Sequence, residues 1–425
     1  MKTAALAVSL MFCAVVAVAK DVKVRVAWTR NYPDSSLGII PDNLGNIAAV
    51  GSDTNSGFAL LLDARGRNVA RVLVPIPGVA GAAADSSGRI FITGNEFPSV
   101  TIHCAAFAPS LSDLLWVQTN NIGYLSPPPG LSATIGPLVS DEMGGVFVLG
   151  DWPDGLFMNH FNRERSEVKA IFVGLLTPYR TGGAIARAPN GDAFFIGNAV
   201  DFRDGWITVI KWNPVTLTYA VYGLNSPGVN GYSFATAAAC DAEGNLIIVG
   251  RHIEFFDYPS RRGRCFTMKL DSNANLIWQA FYGPYDRGIY PPETTALAVA
   301  LDASDNVVMT GTAGTVKYSS AGQVLWEVPE TGGILRLDRF GNVLLTQQVG
   351  RTDGFYELEI TKLNVNGTHR WQTTFYDGSS SDNRPAGLVL DDDGNVYFAA
   401  TSGYRDSGYH STIIKLVEHG QGNDK

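Results

Sequence analysis

The sequence predicts an all-β chain folded as a single β-propeller of eight four-stranded blades. Three observations predict it. A turn motif, Asp-x-x-Gly-Asn followed by four mostly apolar residues, recurs along the chain. A second half-repeat follows it, a Lys strand with Trp nine residues later. The two ends of the chain hold complementary parts of one such unit.

The clearest turn copy is Asp241-Ala-Glu-Gly244-Asn245, with Leu246-Ile-Ile-Val249-Gly250 after it. Others begin at Asp42, Asp85, Asp141, Asp302, Asp338 and Asp391. An eighth, weaker copy has Ala188 in the Asp position and continues Gly191-Asp192-Ala-Phe-Phe-Ile196-Gly197. Successive copies lie 36 to 61 residues apart, the spacing of four-stranded propeller blades. Without the weak copy the ring has seven blades, the alternative count. The motif is a hairpin turn. Asp accepts hydrogen bonds from the turn backbone, and Gly takes the left-handed conformation that L-residues avoid. The four apolar residues form a short buried strand. Asp391-Asp392-Asp393 is acidic enough to suggest calcium, but it lacks EF-hand spacing and the closing Glu.

In the second half-repeat Lys269 leads to Trp278, Lys317 to Trp326 and Lys362 to Trp371. Gly or Asn lies between them, so this is a second hairpin. A buried Trp covers about 150–250 Å², and its recurrence at one place reads as sheet-on-sheet packing, not a cofactor site. The recurring Lys reads as a strand residue, not a catalytic amine. The last unit reaches Lys415-Leu416 without a Trp strand, while Val24 to Tyr32 is a Trp28 strand with no Lys strand before it. Pairing the two closes the ring and hides the sheet edges.

The chain has 425 residues, 45% apolar and 17% charged, enough for a large core. Lys2, the apolar run to Ala19 and the Ala17-Val18-Ala19 exit read as a signal peptide over residues 1–19. The propeller is then expected over 20–417, with a short tail over 418–425. Export places it in the periplasm or outside the cell, with no membrane span after cleavage. The net charge of −8 argues against nucleic-acid and anionic-lipid partners. Cys104, Cys240 and Cys265 remain after cleavage, an odd number. Cys240 and Cys265 fall on the first and third strands of one blade, too far apart to bridge. Buried free thiols are expected.

Trp278-Gln-Ala-Phe-Tyr-Gly283-Pro284, Ala298-Val-Ala-Leu-Asp302, Asn306-Val-Val-Met-Thr-Gly311, Thr315-Val-Lys317-Tyr318 and Leu325-Trp326 resemble the exported bacterial "beta-propeller repeat" of SBBP type. Asp391-Asp-Asp-Gly-Asn-Val-Tyr-Phe with Lys415-Leu416 fits as well. The resemblance covers roughly residues 230–420 and is fainter over 24–225. It implies architecture, not an activity. Quinone-cofactor dehydrogenase propellers place Asp eight residues before Trp with Thr-Gly between. Here Asp271 to Trp278 is seven and Thr-Gly is absent, so no cofactor is predicted.

No metal-ligand pattern involves the six histidines, and no nucleophile elbow or P-loop is present. The connections between strands one and two, and three and four, are tight and lie on one face. Those between two and three, and from four to the next blade, are long and lie on the other. Arg251 to Arg264, Pro284 to Glu293 and Ser402 to His410 are long loops expected there, and Asp151-Trp-Pro-Asp154 and Asp201-Phe-Arg-Asp204 belong to the same face. They are rich in Tyr, Arg and Asp, with Trp152 nearby, the residue types of binding hot spots. The candidate binding residues are Trp152, Arg203, Tyr258, Arg261, Tyr285, Arg287, Tyr290, Tyr404 and Arg405. The expectation is a monomeric, non-enzymatic binder of a glycan or an extracellular protein. The alternative is a propeller hydrolase, lyase or cofactor-dependent dehydrogenase working at the mouth of the central channel.

Overall fold

The computed structural model describes all residues except 1–22, 33–35, 43, 53–56, 96–100, 122–133, 153–154, 165, 172–178, 201–204, 217, 225–230, 256–260, 289–293, 377–381, 405–407 and 420–425. Thirty-two strands form eight antiparallel four-stranded sheets. From the channel outward, blade 1 holds Ser36–Pro41, Ile47–Ser52, Gly57–Leu62 and Asn68–Val74. Blade 2 holds Val79–Ala84, Ile90–Asn95, Thr101–Phe107 and Leu114–Asn121. Blade 3 holds Thr134–Ser140, Val146–Trp152, Gly155–Phe161 and Ser166–Ile171. Blade 4 holds Tyr179–Arg187, Ala193–Val200, Gly205–Asn213 and Thr218–Leu224. Blade 5 holds Gly231–Cys240, Leu246–Phe255, Arg261–Leu270 and Leu276–Gly288. Blade 6 holds Ala296–Leu301, Val307–Gly311, Gly314–Tyr318 and Val324–Val328. Blade 7 holds Ile334–Leu337, Val343–Gly350, Tyr356–Leu363 and His369–Phe375. Blade 8 holds Asp382–Leu390, Val396–Tyr404 and Gly408–His419, with the N-terminal strand Lys23–Tyr32 outermost. The ring is an eight-bladed β-propeller closed as the chain ends predict. The last strand runs two residues past the expected limit at 417, and Glu418 belongs to the blade instead of a tail.

The core is divided by blade interface. Eight apolar clusters each join two neighbouring blades, and one of them joins blade 8 to blade 1 through Tyr397, Ile413, Ile47 and Leu60. The expected strand order puts each second strand, the four-residue apolar run, at the centre of these clusters. Val146, Phe147, Val148 and Leu149 are all fully buried.

Every anchor forms the predicted first hairpin. In blade 5 the Asp241 carboxylate accepts from the backbone N–H of Glu243 and Asn245 and from Asn245 Nδ2. The recurring Lys completes the motif. Lys269 Nζ lies 2.8 Å from Asp241, Lys317 2.8 Å from Asp302, Lys362 3.1 Å from Asp338 and Lys415 3.5 Å from Asp391. Blade 4 explains why its copy reads as weak. Its carboxylate has moved four positions along the turn, and Asp192 meets Lys211 at 2.9 Å. Blade 3 uses His160 on Asp141 at 2.7 Å, and blade 2 uses Arg89 on Asp85 at 2.6 Å.

The tryptophans pack between blades as expected: Trp212 and Trp371 are buried members of inter-blade clusters, and Trp28, Trp116, Trp278 and Trp326 pack against four others. Trp28, Trp278 and Trp326 also reach from the outermost strand to the third-to-fourth turn of the next blade. Trp28 Nε1 donates to Ala64 O (3.1 Å), Trp278 to Ser320 O (3.0 Å) and Trp326 to Val365 O (2.9 Å). The indole lies against the turn glycine two residues on. A Cβ on Gly66, Gly322 or Gly367 would stand 2.6, 2.7 or 2.8 Å from the ring. Gly322 also has φ +85°, which L-residues rarely adopt. Gly322→Ala should therefore cost about 1–3 kcal/mol and shift Trp278 fluorescence to the red. An unchanged unfolding midpoint and emission would show that the contact is loose.

Cys104 and Cys265 are buried as expected, while Cys240 is only half-buried; all three are free. Burial pushes the Cys240 and Cys265 thiols up to about 12, and Cys104 well above its ordinary value.

Candidate binding face

The second strands of blades 5 to 8 all begin five residues after the turn Asp. On the tight-turn face the blades are therefore level, and length differences appear on the opposite face. There the second strand has ten residues in blade 5, five in blade 6, eight in blade 7 and nine in blade 8. At about 3.4 Å per residue, blade 5 rises roughly 17 Å further along its strand than blade 6. Blade 6 is a notch between taller neighbours.

The long connections expected from sequence are thus largely extended hairpin arms. Arg251 to Phe255 and Arg261 to Arg264 are paired strands, joined by Phe255↔Arg261. The outermost strand of blade 5 continues to Gly288, with Arg262↔Arg287. In blade 8 pairing persists to Tyr404↔Gly408. His252-Ile-Glu-Phe255 keeps a polar-apolar alternation, but Gly, Pro and Asp punctuation makes these segments read as loops.

The nine candidate residues are distributed accordingly. Trp152 ends the second strand of blade 3, and Arg261 begins the third strand of blade 5. Tyr285 and Arg287 lie on its outermost strand, and Tyr404 ends the second strand of blade 8. All five positions are at the long-arm end of their strands. Arg203, Tyr258, Tyr290 and Arg405 lie outside the described residues.

Blade 7 carries a cluster that the sequence reading passed over. Arg351 and Phe355 close its arm through the Arg351 N–H and the Phe355 carbonyl (2.8 Å). The Arg351 guanidinium meets Asp353 and Glu357, each at 3.1 Å, and lies 4.2 Å over the Tyr376 ring. The Asp353 hydrogen bond raises the Arg351 pKa. Phe355 sits 6.4 Å from Tyr376, and Phe355 and Tyr356 are 37% and 44% exposed. The signal was present. Arg351-Thr-Asp-Gly-Phe-Tyr356 shares its Arg, Asp, Gly and Tyr content with Tyr285 to Tyr290 and Tyr404 to Tyr409.

Beneath the arms runs a layer of buried polar groups. Asn383 Nδ2 donates to Tyr356 O (2.7 Å), Gln348 Nε2 donates to Asn383 O (2.7 Å), and Ser402 Oγ donates to Asn383 Oδ1 (2.5 Å). Thr331 bonds Gln347, which donates to Glu359 at 2.5 Å. In blade 6 Thr315 joins Thr310 to the Glu330 carbonyl. Such networks fix the arms to the ring, because an unmade buried bond is costly.

One pair has the elements of a nucleophile and base. Ser233 Oγ lies 2.9 Å from His252 Nδ1, and Glu254 lies 3.9 Å from Nε2. Both Ser233 and His252 are fully buried, and desolvation lowers the His252 pKa. No substrate atom reaches that hydroxyl without moving the sheet, so the pair acts as a polar tie between the first two strands. Among the described residues, no group of three or more His, Cys, Asp or Glu side chains is placed to hold a metal.

No family model matches the chain, and no curated protein matches it by sequence. Solved structures resemble it in fold. A Bacteroides caccae protein of unknown function is 10% identical, with a TM-score of 0.33 over 67% of this chain and 93% of that one. The polysaccharide lyase Uly1 is 10% identical, with a TM-score of 0.44 over 92% and 99% of the two chains. A chain from a study of two prolyl endopeptidases is 12% identical, with a TM-score of 0.47 over 90% of this chain and 55% of that one.

Proposed function

We propose that the protein is an exported, non-enzymatic propeller of the beta-propeller-repeat type that binds a glycan polymer or a protein partner through its long-arm face. One observation supports this most: the arms of blades 5, 7 and 8 stand above blade 6, and the described tip of blade 7 offers exposed aromatic rings beside an Arg–Asp–Glu cluster. Aromatic faces stack on the C–H surfaces of sugars, and the fixed charges accept or donate to hydroxyls. Functional residues on rigid arms also lose little freedom on binding. The tight-turn face is built on short turns, with Phe340 exposed beside Arg339 in blade 7.

The test is a glycan array probed with the mature protein, with Arg351→Ala/Tyr356→Ala, and with Phe340→Ala on the opposite face. The double variant should lose about tenfold or more in affinity, while Phe340→Ala binds as the parent. Equal loss in both, or binding untouched by the double variant, would place the site elsewhere. Release of cleaved or unsaturated sugars would favour the enzyme reading.

A further inference from the structure

The cluster at the tip of the blade 7 arm holds one base and two acids, and the base is already engaged. Arg351 Nε donates to Asp353 Oδ2 at 3.1 Å, Nη2 meets the same oxygen at 3.1 Å, and Nη1 donates to Glu357 Oε2 at 3.1 Å. One face of the guanidinium lies over the Tyr376 ring. All three nitrogens thus have a carboxylate partner. A guanidinium held this way does not offer its planar fork to an incoming anion.

The acids keep unused capacity. An ionised carboxylate has about four acceptor sites, and Glu357 Oε1 has no partner among the described residues. The Asp353 side chain is 42% exposed, and its bond to Arg351 holds its carboxyl below the ordinary range. One guanidinium and two carboxylates leave the cluster at a net charge of −1. The turn fixes these acceptors in place. Gly354, at φ +85°, donates its N–H to Arg351 O at 3.2 Å, and the Phe355 N–H donates to Asp353 Oδ1 at 3.2 Å. Phe355 and Tyr356 are exposed in the same short stretch.

We propose that the blade 7 tip takes a neutral, hydroxyl-rich sugar unit and rejects acidic ones, uronates and sulfated sugars alike. This rests on the reading of the long-arm face as a glycan-binding face and names the class of sugar. The exposed rings stack on the C–H surface of the sugar, and its hydroxyls donate charge-assisted bonds to Asp353 and Glu357. An ionised sugar carboxylate or sulfate has no proton to donate there, and it sets a like charge against the pair. Blade 5 differs, since its arm places Arg262 opposite Arg287. The discrimination therefore belongs to blade 7, and variants of that blade read it.

Calorimetric titration of the mature protein with hexamers of glucose, mannose and galactose, and with hexamers of the corresponding uronic acids, at matched ionic strength, tests it. At least one neutral hexamer should bind about tenfold or more tighter than its uronate counterpart. Phe355→Ala/Tyr356→Ala should lose that binding. Asp353→Asn/Glu357→Gln leaves the cluster at +1 and should shrink the neutral-to-uronate ratio about tenfold or reverse it. If the double amide variant fails to fold, Glu357→Gln alone carries the comparison. A uronate bound as tightly as the neutral hexamer, and lost in Phe355→Ala/Tyr356→Ala, overturns the selectivity and leaves glycan binding standing. An unchanged ratio in the amide variant also overturns it. Binding of neither class removes the glycan reading of the face, and this inference with it.

Discussion

Lys269→Met should destabilise the protein by about 3–5 kcal/mol, the cost of leaving one member of a buried ion pair alone. Asp241 is 2% exposed and Lys269 6%, and Lys269 also donates to Ser320 O of the next blade at 3.3 Å. The double variant Asp241→Asn/Lys269→Met should recover much of the loss, because the stranded charge is gone. Chemical denaturation midpoints of the three proteins decide it, and a double variant no better than the single one would show that the pair is not coupled. The pH dependence follows from the same geometry. Burial pushes the Asp241 carboxyl up, but the bonds from Lys269 and Asn245 outweigh it and hold the carboxyl below its ordinary range. A depressed carboxylate contributes stability above its unfolded pKa and loses it as pH falls through the folded value. Asp302, Asp338 and Asp141 are depressed in the same way. The ring should therefore lose stability below about pH 4, and the double variant should lose less.

Glu418→Ala should weaken the ring at its seam by about 2–4 kcal/mol. In blades 5 and 8, Trp and Lys donate to one carbonyl of the next blade's third-to-fourth turn: Ser320 O and Ala64 O. Blade 8 has no such turn, because its third strand ends the described chain and its fourth is the N-terminal strand. Glu418 takes the carbonyl's place. Its Oε1 accepts from Trp371 Nε1 at 3.0 Å and Lys362 Nζ at 2.5 Å, and its Oε2 accepts from Arg370 at 2.7 Å. Burial raises the Glu418 pKa, but these three donors hold it below its ordinary value. Glu418→Gln keeps an acceptor for Trp371 and Lys362 and should cost less than alanine. It should also blunt the loss of stability in acid. The unfolding midpoint and Trp371 emission report the effect, and a midpoint unmoved by alanine would show that the seam is held by strand pairing alone.

Much of the architecture was legible because one turn chemistry recurs. Asp at the first position and Gly or Asn later mark seven of the eight first hairpins, and Lys-to-Trp spacing marks the second in blades 5 to 7. Even the mismatch at the chain ends stated how the ring closes. Two features were not legible. The Lys–Asp pair joins residues 15 to 28 positions apart, and only the four-stranded register brings them together. Glu418 looked like tail because its role depends on a turn that is missing. On the candidate face, the five described candidate positions lie at the long-arm end of their strands, the side on which sequence placed them. Residue types did not show that Arg251 to Phe255 and Tyr285 to Gly288 stay in strand, since Gly and Pro signal turns even where a long hairpin continues. Arg351, Phe355, Tyr356 and Tyr376 were passed over because blade 7 joins its second and third strands by a short turn, and short turns were assigned to the other face.

The most direct test of function through the long-arm face is hydrogen exchange of the mature protein, free and with the polysaccharide or protein that it retains. Protection should rise at the arm ends of blades 5, 7 and 8, around residues 251–264, 347–357 and 402–410, and the Asp-x-x-Gly-Asn turns should exchange as before. Protection confined to those turns, with the arms unchanged, would contradict it.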